Sequence, residues 1–155
     1  LNTYEERQSI LENINEEHGH GDLSRTHGAS FIEFLALLNL DRACLSAPGL
    51  AVARFNRELM ELCREDKLTG IAALGIIEDR FSEISSFIAK SVIKHGWVQA
   101  NEIVHYDLHA ELDIEHAKEF YRLIEDDWSS SEVRIKAGLD RGNEIFLKLY
   151  SSLLD

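Results

Sequence analysis

Proline is almost absent from this sequence, and its scarcity restricts the fold. Pro48 is the only proline in 155 residues, and long periodic stretches run on both sides of it. Because proline breaks helix interiors, long stretches without it favour extended helices. Glycine is sparse too, at 9 residues, and 45% of the chain is apolar, which excludes a disordered chain. We therefore expect an all-α globular protein.

Cysteine and basic residues are also scarce. Cys44 and Cys63 form neither a disulfide framework nor a CxxC pair, which favours a reducing cytoplasm. The net charge of −12 argues against nucleic acid or an anionic membrane surface as a partner. No run of about 18 apolar residues is present, and no signal peptide is visible. We expect a cytoplasmic protein that binds neither nucleic acid nor membrane.

Apolar periodicity and capping residues predict a series of helices in one domain spanning residues 1–155. Two glycines in the stretch Gly19–Asp22 should end the first helix, and Arg42–Gly49 should form a loop. Trp128 and the three serines after it should form the last turn, from which Ser130 or Ser131 caps the final helix. The other predicted helices are Thr3–His18 capped by Thr3, Ser24 or Thr26 to Asn39, Leu50–Glu65, Thr69–Lys94 and Val98–Asp127.

His109, Asp113 and His116 form the most informative motif in the sequence. Their spacing of i, i+4 and i+7 places them within roughly 60° of arc on one helix face, over about 10 Å of its length. The same stripe continues into Phe120, which suggests that the polar groups point inward. Two imidazoles and a carboxylate in one space can hold one or two borderline metal ions. Taken alone, however, the segment could also be a solvated charged face.

Two earlier helices also carry a polar residue in an apolar row. Glu17 shares a helix face with Ile10 and Ile14, whereas Glu16 points about 100° away and is expected to be solvated. His27 lies one turn before Phe31 on an apolar stripe. A single histidine on such a stripe is more often a satisfied core residue than a ligand.

Glu78 is the third intrusion of this kind. It lies in the middle of the inward row of the fourth helix, where a charged and unpaired carboxylate would cost several kcal/mol. A buried salt bridge to Arg54 or Arg57 is the alternative explanation. The row itself reads Ile71, Leu74, Glu78, Phe81, Ser85, Ile88 and Val92.

Four helices thus each place a metal-competent residue where an apolar one is expected. Three imidazoles and three carboxylates make the mixed nitrogen and oxygen set that suits two iron ions or two manganese ions. A structural zinc site would normally use thiolate, and a calcium site would use oxygen ligands alone.

Three motifs follow one another along the chain: Glu16–Asp22 followed by Arg25-Thr26-His27, then Leu74–Glu78, then His109, Asp113 and His116 followed by Ala117. In these motifs the chain resembles the heme-oxygenase-like diiron oxidases and oxygenases, or iron-containing redox enzymes, which are related to the TenA/PqqC-like fold group. The resemblance implies a heme-oxygenase-like bundle of about seven helices that binds two irons and uses O2 as co-substrate. Known members oxidise amino acids or fatty acids by N-oxygenation, desaturation or C–C cleavage. The ligands implied by the resemblance are Glu17, His27, Glu78, His109, Asp113 and His116.

The resemblance also raises expectations about what surrounds the ligands. Residues that could orient the histidines are His105, His20, Glu16 and Tyr106. His105, one turn before His109, could be a substitute ligand or a hydrogen-bond partner, and we favour the partner role. The resembled fold has one or two helices before the Glu17 helix, and this chain begins at Leu1 without them. We expect the larger, C-terminal part of a longer domain, with a homodimer covering the open side.

Two other functions stay open. A metal-free, thiaminase-like (TenA/PqqC-like) enzyme of the same fold would use a cysteine and a carboxylate, although no cysteine falls in the ligand rows. A non-enzymatic helical interaction module would keep these residues as buried polar contacts. The expected partner is a small-molecule substrate, but no residue set distinguishes an amino acid from a fatty acid or a small aromatic compound.

Overall fold

The computed structural model describes residues 1, 3–40 and 48–153, and these contain six α-helices and no strand. Two short 3-10 turns, Gly19–Gly21 and Leu23–Arg25, connect the first two helices. This architecture confirms the all-α prediction and is consistent with a heme-oxygenase-like helical bundle. None of the helices in these ranges has the length and apolarity needed to cross a bilayer. The helices are α1 (Tyr4–Glu17), α2 (His27–Leu37), α3 (Leu50–Glu65), α4 (Lys67–Lys94), α5 (Val104–Arg122) and α6 (Trp128–Ser151).

The N-termini of α1 and α2 are fixed by the predicted capping residues. The Thr3 side chain accepts a hydrogen bond from the backbone N–H of Glu6, and the Glu6 carboxylate accepts one from the Thr3 N–H in return. The Thr26 side chain accepts a hydrogen bond from the Ala29 N–H at 3.2 Å. These bonds satisfy backbone donors that have no partner within the helix itself.

Glycine is required where the chain reverses between α1 and α2. Gly19 has a positive φ of 62°, and a Cβ atom there would lie 2.6 Å from the backbone carbonyl carbon of Arg25. Gly21 also has a positive φ, at 86°. Both conformations are costly for other residues, so the predicted helix break is confirmed.

The start of α4 differs from the prediction. Asp66, not Thr69, caps this helix: its carboxylate accepts hydrogen bonds from the backbone N–H groups of Leu68 and Thr69 and from the Thr69 hydroxyl. The helix therefore begins at Lys67. Thr69 has capping chemistry, but its hydroxyl is a donor to Asp66 inside the helix.

The helix α5 is shorter than predicted at both ends, because it runs from Val104 to Arg122 and not from Val98 to Asp127. Gly96 has a φ of 70°, and the Glu102 carboxylate accepts a hydrogen bond from the Gln99 N–H at 2.8 Å, which holds the preceding segment in turns. Val98 and Ile103 are nevertheless buried. The segment therefore contains apolar residues because it is buried, and these residues made its sequence resemble that of a helix.

The predicted turn at Trp128 and the following serines is wrong, because α6 already begins at Trp128. The helix is kinked at Ser131, whose φ of −139° is not helical. The Arg134 guanidinium donates a hydrogen bond to the Ser131 hydroxyl at 2.7 Å. Ser131 therefore marks a kink inside a longer helix. Most of the predicted loop Arg42–Gly49 lies outside the described residues, although Gly49 is the N-cap of α3.

The chain divides into two compact units. The first unit comprises Leu1–Leu45 and Ser82–Leu112. Its core brings the middle of α2 against the end of α4 and the turns before α5. The buried residues of this core are Phe34, Ala89, Val92, Val98 and Ile103.

The second unit comprises Ser46–Phe81 and Asp113–Asp155. Its core contains Leu62, Ala73 and Ile145, from α3, α4 and α6. The helices α4 and α6 approach closely at Gly142, where a Cβ atom would lie 2.8 Å from Ala73 Cα and 2.7 Å from Ile76 Cγ2. The prediction of one domain over residues 1–155 stays a prediction.

Replacing Gly142 with alanine tests this close approach. Because the added methyl group meets the Ala73 backbone, we expect Gly142→Ala to lower the free energy of unfolding by about 1–3 kcal/mol. Gly28→Ala is the control, since no atom lies within 4 Å of a Cβ at that position in α2. The control should raise the free energy of unfolding by about 0.4–1 kcal/mol. Equal effects of the two substitutions in chemical denaturation would contradict the packing of α4 against α6.

Candidate metal centre

Three ligand-type side chains from three helices meet within the first unit. Glu17 is the last residue of α1, His27 is the first residue of α2, and His109 lies in α5. Each residue offers one ligand atom, and these atoms all lie within 4.8 Å of one another. The two histidines are buried, at 8% and 5% exposure, and Glu17 is half-buried. We call these three residues the Glu17 cluster.

The reversal of the chain between α1 and α2 brings the first two members together. Glu17 Oε2 lies 2.8 Å from His27 Nδ1, which is a hydrogen-bond distance. The rings of His27 and His109 then meet edge to face, with centroids 4.3 Å apart and planes at 78°. The Glu17 cluster therefore joins α1, α2 and α5 through direct side-chain contacts.

A third imidazole, that of His105, packs behind the Glu17 cluster. Its ring lies 4.6 Å from the ring of His109 and 5.3 Å from that of Phe31. Burial, with the nearby imidazoles of His109 and His27, lowers the pKa of His105 to about 4, and Glu17 offsets part of this effect. His105 is therefore neutral at neutral pH.

Asp113 and His116 are deeply buried in the second unit. Their exposures are 0% and 1%, and Asp113 Oδ1 lies 3.8 Å from His116 Nδ1. Burial on this scale rules out the alternative that the motif is a solvated helix face. Since α5 is continuous from Val104 to Arg122, its helical spacing places both residues on the stripe that carries His109.

Glu78 is half-buried in α4. Of the two arginines considered as its salt-bridge partner, Arg54 contacts Glu58 at 2.6 Å. The structure thus assigns Arg54 a different acidic partner, on its own helix.

The other predicted orienting residues differ in how they are placed. His20 is exposed, and its Nδ1 atom lies 2.9 Å from Asn15 Nδ2. Glu16 is half-buried, although the sequence predicts it to be solvated. The Tyr106 ring packs edge-on against His105 at 4.9 Å, and burial raises the pKa of its hydroxyl. Of the four predicted orienting residues, His105 is the one for which the described part of the structure gives a ring contact with a member of the Glu17 cluster, His109.

Ser30 is a site residue that the sequence does not reveal. Its hydroxyl lies 2.9 Å from His105 Nδ1 and donates a hydrogen bond to the His27 carbonyl oxygen at 3.0 Å. Ser30 follows His27 by three residues, but 75 residues separate it from His105. No local pattern could reveal a contact over that distance.

The Glu17 cluster has the donor chemistry of an iron site. Two imidazoles and one carboxylate make up the set that non-heme iron proteins use, and manganese accepts similar ligands. Among the described residues the groups of possible ligands contain no cysteine. Cys63 lies in α3, and burial raises the pKa of its thiol. The fold and the donor set are thus those expected of a helical metalloprotein.

Comparison with protein families agrees with this class. The family described as iron-containing redox enzyme matches residues 2–139. The chain therefore belongs to this heme-oxygenase-like family, and the resemblance seen in the sequence is confirmed. Membership makes it an iron-containing oxidoreductase. Searches among curated proteins and among solved structures gave no significant match.

The lowered pKa of His105 predicts how the stability of the metal-free protein depends on pH. Unfolded, the imidazole binds a proton below about pH 6.5, whereas the folded chain binds it only below about pH 4. Between these values the unfolded state binds more protons, so the free energy of unfolding should fall as the pH is lowered. His105→Gln removes this proton uptake. Wild type should therefore lose more stability than His105→Gln between pH 6.5 and pH 4 in urea denaturation.

The matched control for this measurement is His95→Gln. His95 is exposed at the end of α4 and contacts the Ser91 carbonyl oxygen. This variant should follow the wild-type dependence on pH. Parallel curves for wild type and His105→Gln would show that His105 is not held neutral by burial.

Proposed function

We propose that this protein is a non-heme diiron oxidase or oxygenase that activates O2 to oxidise a small organic substrate. The observation that supports this proposal most directly is the Glu17 cluster. Its two buried imidazoles and one carboxylate come from three helices, and their ligand atoms lie within 4.8 Å of one another. Membership of the iron-containing redox enzyme family supports the same metal and the same class of reaction. No other cluster in the described part of the first unit has this combination of ligands.

We propose six ligands in all for two iron ions, with manganese as an alternative metal. The three beyond the Glu17 cluster are Glu78, Asp113 and His116. Asp113 and His116 are supported by their near-complete burial and by the continuous helix α5, which sets their spacing from His109. Glu78 is supported by its half-buried place in an apolar row of α4. Buried groups of this type are commonly metal ligands or paired charges.

The chain's own residues would bind the ions, hold their ligands in place and exclude water. Ligands must be deprotonated to bind a metal, so protons compete with iron for the side chains of the Glu17 cluster. Iron affinity should accordingly fall in acid. Burial of the two histidines keeps solvent from the centre and strengthens electrostatic interactions within it. Ferrous iron held by these residues would supply the electrons for the activation of dioxygen.

The proposed substrate is a small amino-acid-like or fatty-acid-like molecule, oxidised by N-oxygenation, desaturation or C–C cleavage. We also propose a cytoplasmic homodimer as the working form. A cavity of about 670 Å³ in the second unit has a mainly apolar lining that includes Ile76, Arg80 and Tyr121. Ile76 and Arg80 each lie two residues from Glu78, so this cavity opens on the opposite face of α4. We therefore do not assign it to the substrate.

Anaerobic loading with ferrous iron tests the proposed function. We expect about two irons per chain in wild type, with O2 consumption when air is admitted. His109→Ala removes one imidazole of the Glu17 cluster and should lower both iron content and O2 consumption at least tenfold. His95→Ala, which removes an exposed imidazole, should match wild type in both measurements. A folded wild-type protein that takes up no iron would contradict the proposal.

Asp113→Asn separates a ligand role from a purely structural one. Asparagine keeps the shape of the side chain and removes the carboxyl group, so iron bound per chain should fall below two. If the buried carboxyl group serves binding, metal-free Asp113→Asn should be at least as stable as wild type. It should also gain less stability than wild type when iron is added. The control is Asp107→Asn, at an exposed aspartate of the same helix.

The opposite outcome for Asp113→Asn would show that the role of Asp113 is structural. A structural role predicts a loss of stability in the metal-free protein, with iron content per folded chain unchanged. That combination, measured by thermal unfolding and metal analysis, would remove Asp113 from the proposed ligands.

A further inference from the structure

The geometry points to Ser30 and His105 as a positioning pair that orients the two histidines of the Glu17 cluster. This inference rests on the proposed function, because it concerns ligands of the proposed metal centre. It deepens that function by assigning a role to a serine that neither the sequence motifs nor the family match singles out. The contacts that support it all lie within the first unit.

The direction of the hydrogen bonds at Ser30 follows from its single proton. The Ser30 hydroxyl lies 3.0 Å from the His27 carbonyl oxygen, which can only accept. The hydroxyl therefore donates to this carbonyl and accepts from its other neighbour. That neighbour is His105 Nδ1, 2.9 Å away. The proton of the Ser30–His105 bond must then be on His105 Nδ1, which leaves Nε2 without one in the neutral ring.

This chain of contacts links one histidine of the cluster to the other. Ser30 is bonded to the backbone of His27 in α2, and its partner His105 precedes His109 by one turn of α5. The His105 ring meets the His109 ring at 4.6 Å and 68°, and the His109 ring meets that of His27 at 4.3 Å. The series of contacts thus starts at the backbone of His27 and ends at its ring. A rotation of His109 would have to break one of these contacts, so the pair restricts its ring before any ion binds.

A direct ligand role for His105 fits the structure less well. The group of ligand atoms within 4.8 Å of one another comprises Glu17, His27 and His109, and it does not include His105. Its Nδ1 atom is already engaged by Ser30, and its ring is held between Phe31 and His109. His105 therefore acts through His109 and is a positioning residue.

The test combines histidine NMR with ferrous binding on the whole 155-residue chain. In metal-free protein labelled with 15N-histidine, His105 should carry its proton on Nδ1 in wild type. Ser30→Ala removes the acceptor and should abolish this single tautomer. Ser30→Thr keeps the hydroxyl and should restore it. Ser86→Ala removes a half-buried hydroxyl elsewhere in the first unit and should leave the spectrum of His105 unchanged.

Anaerobic ferrous titration of the same four proteins gives the second measurement. Ser30→Ala should raise the dissociation constant about 10–100-fold, the range typical of residues that orient metal ligands. Ser30→Thr and Ser86→Ala should stay within about threefold of wild type. Thermal unfolding of the metal-free proteins shows whether each variant is folded, so a loss of affinity cannot be mistaken for a loss of structure.

The two measurements separate this inference from the proposed function. If wild type binds no ferrous iron, the proposed function fails, and the NMR spectra alone then decide whether the pair exists. If wild type binds iron but Ser30→Ala binds it equally well, the positioning role is overturned while the proposed function stands. A proton on Nε2 of His105 in wild type would overturn the inference whatever the iron binding.

Discussion

The structure of the candidate site depends on the contact between Glu17 and His27. These residues end one helix and begin the next, and their side chains are 2.8 Å apart only because the chain reverses sharply between them. Gly19 makes the reversal possible, since a side chain there would collide with the Arg25 backbone. The Thr26 cap then starts α2 at His27. Backbone geometry thus brings a carboxylate and an imidazole together at the junction of α1 and α2.

Burial of these polar groups opposes folding and has to be offset elsewhere. Imidazoles and carboxyl groups in an apolar interior cost free energy unless they are hydrogen-bonded, paired or bound to metal. Each compact unit also has an apolar core, built around Phe34 in the first unit and Leu62 in the second. Such cores can compensate for a buried polar site, as proteins commonly sacrifice some stability to keep a functional centre. Metal binding would offset part of this loss of stability, because an ion that binds only the folded state increases the free energy of unfolding.

Much of the fold follows from local sequence patterns. Thr3 and Thr26 are recognisable caps, and both start their helices as predicted. The errors occur where local chemistry misleads: Val98 and Ile103 are buried as expected of a helix but belong to turns, and Ser131 lies at a kink inside α6. Burial depends on tertiary packing as well as on periodicity, so an apolar pattern alone could not separate a buried turn from a helix end.

The candidate site was predictable to a similar extent. Polar residues in apolar rows predicted His27 and His109 as candidate ligands, because helical spacing shows which side chains face inward. Helical spacing could not show that Ser30 contacts His105, since this contact depends on how α2 packs against α5.

Iron K-edge anomalous diffraction from crystals loaded with ferrous iron is the most direct test of the central claim. The account predicts anomalous density within coordination distance of Glu17, His27 and His109. Iron bound only at surface sites, with the contact between Glu17 and His27 unchanged, would contradict it.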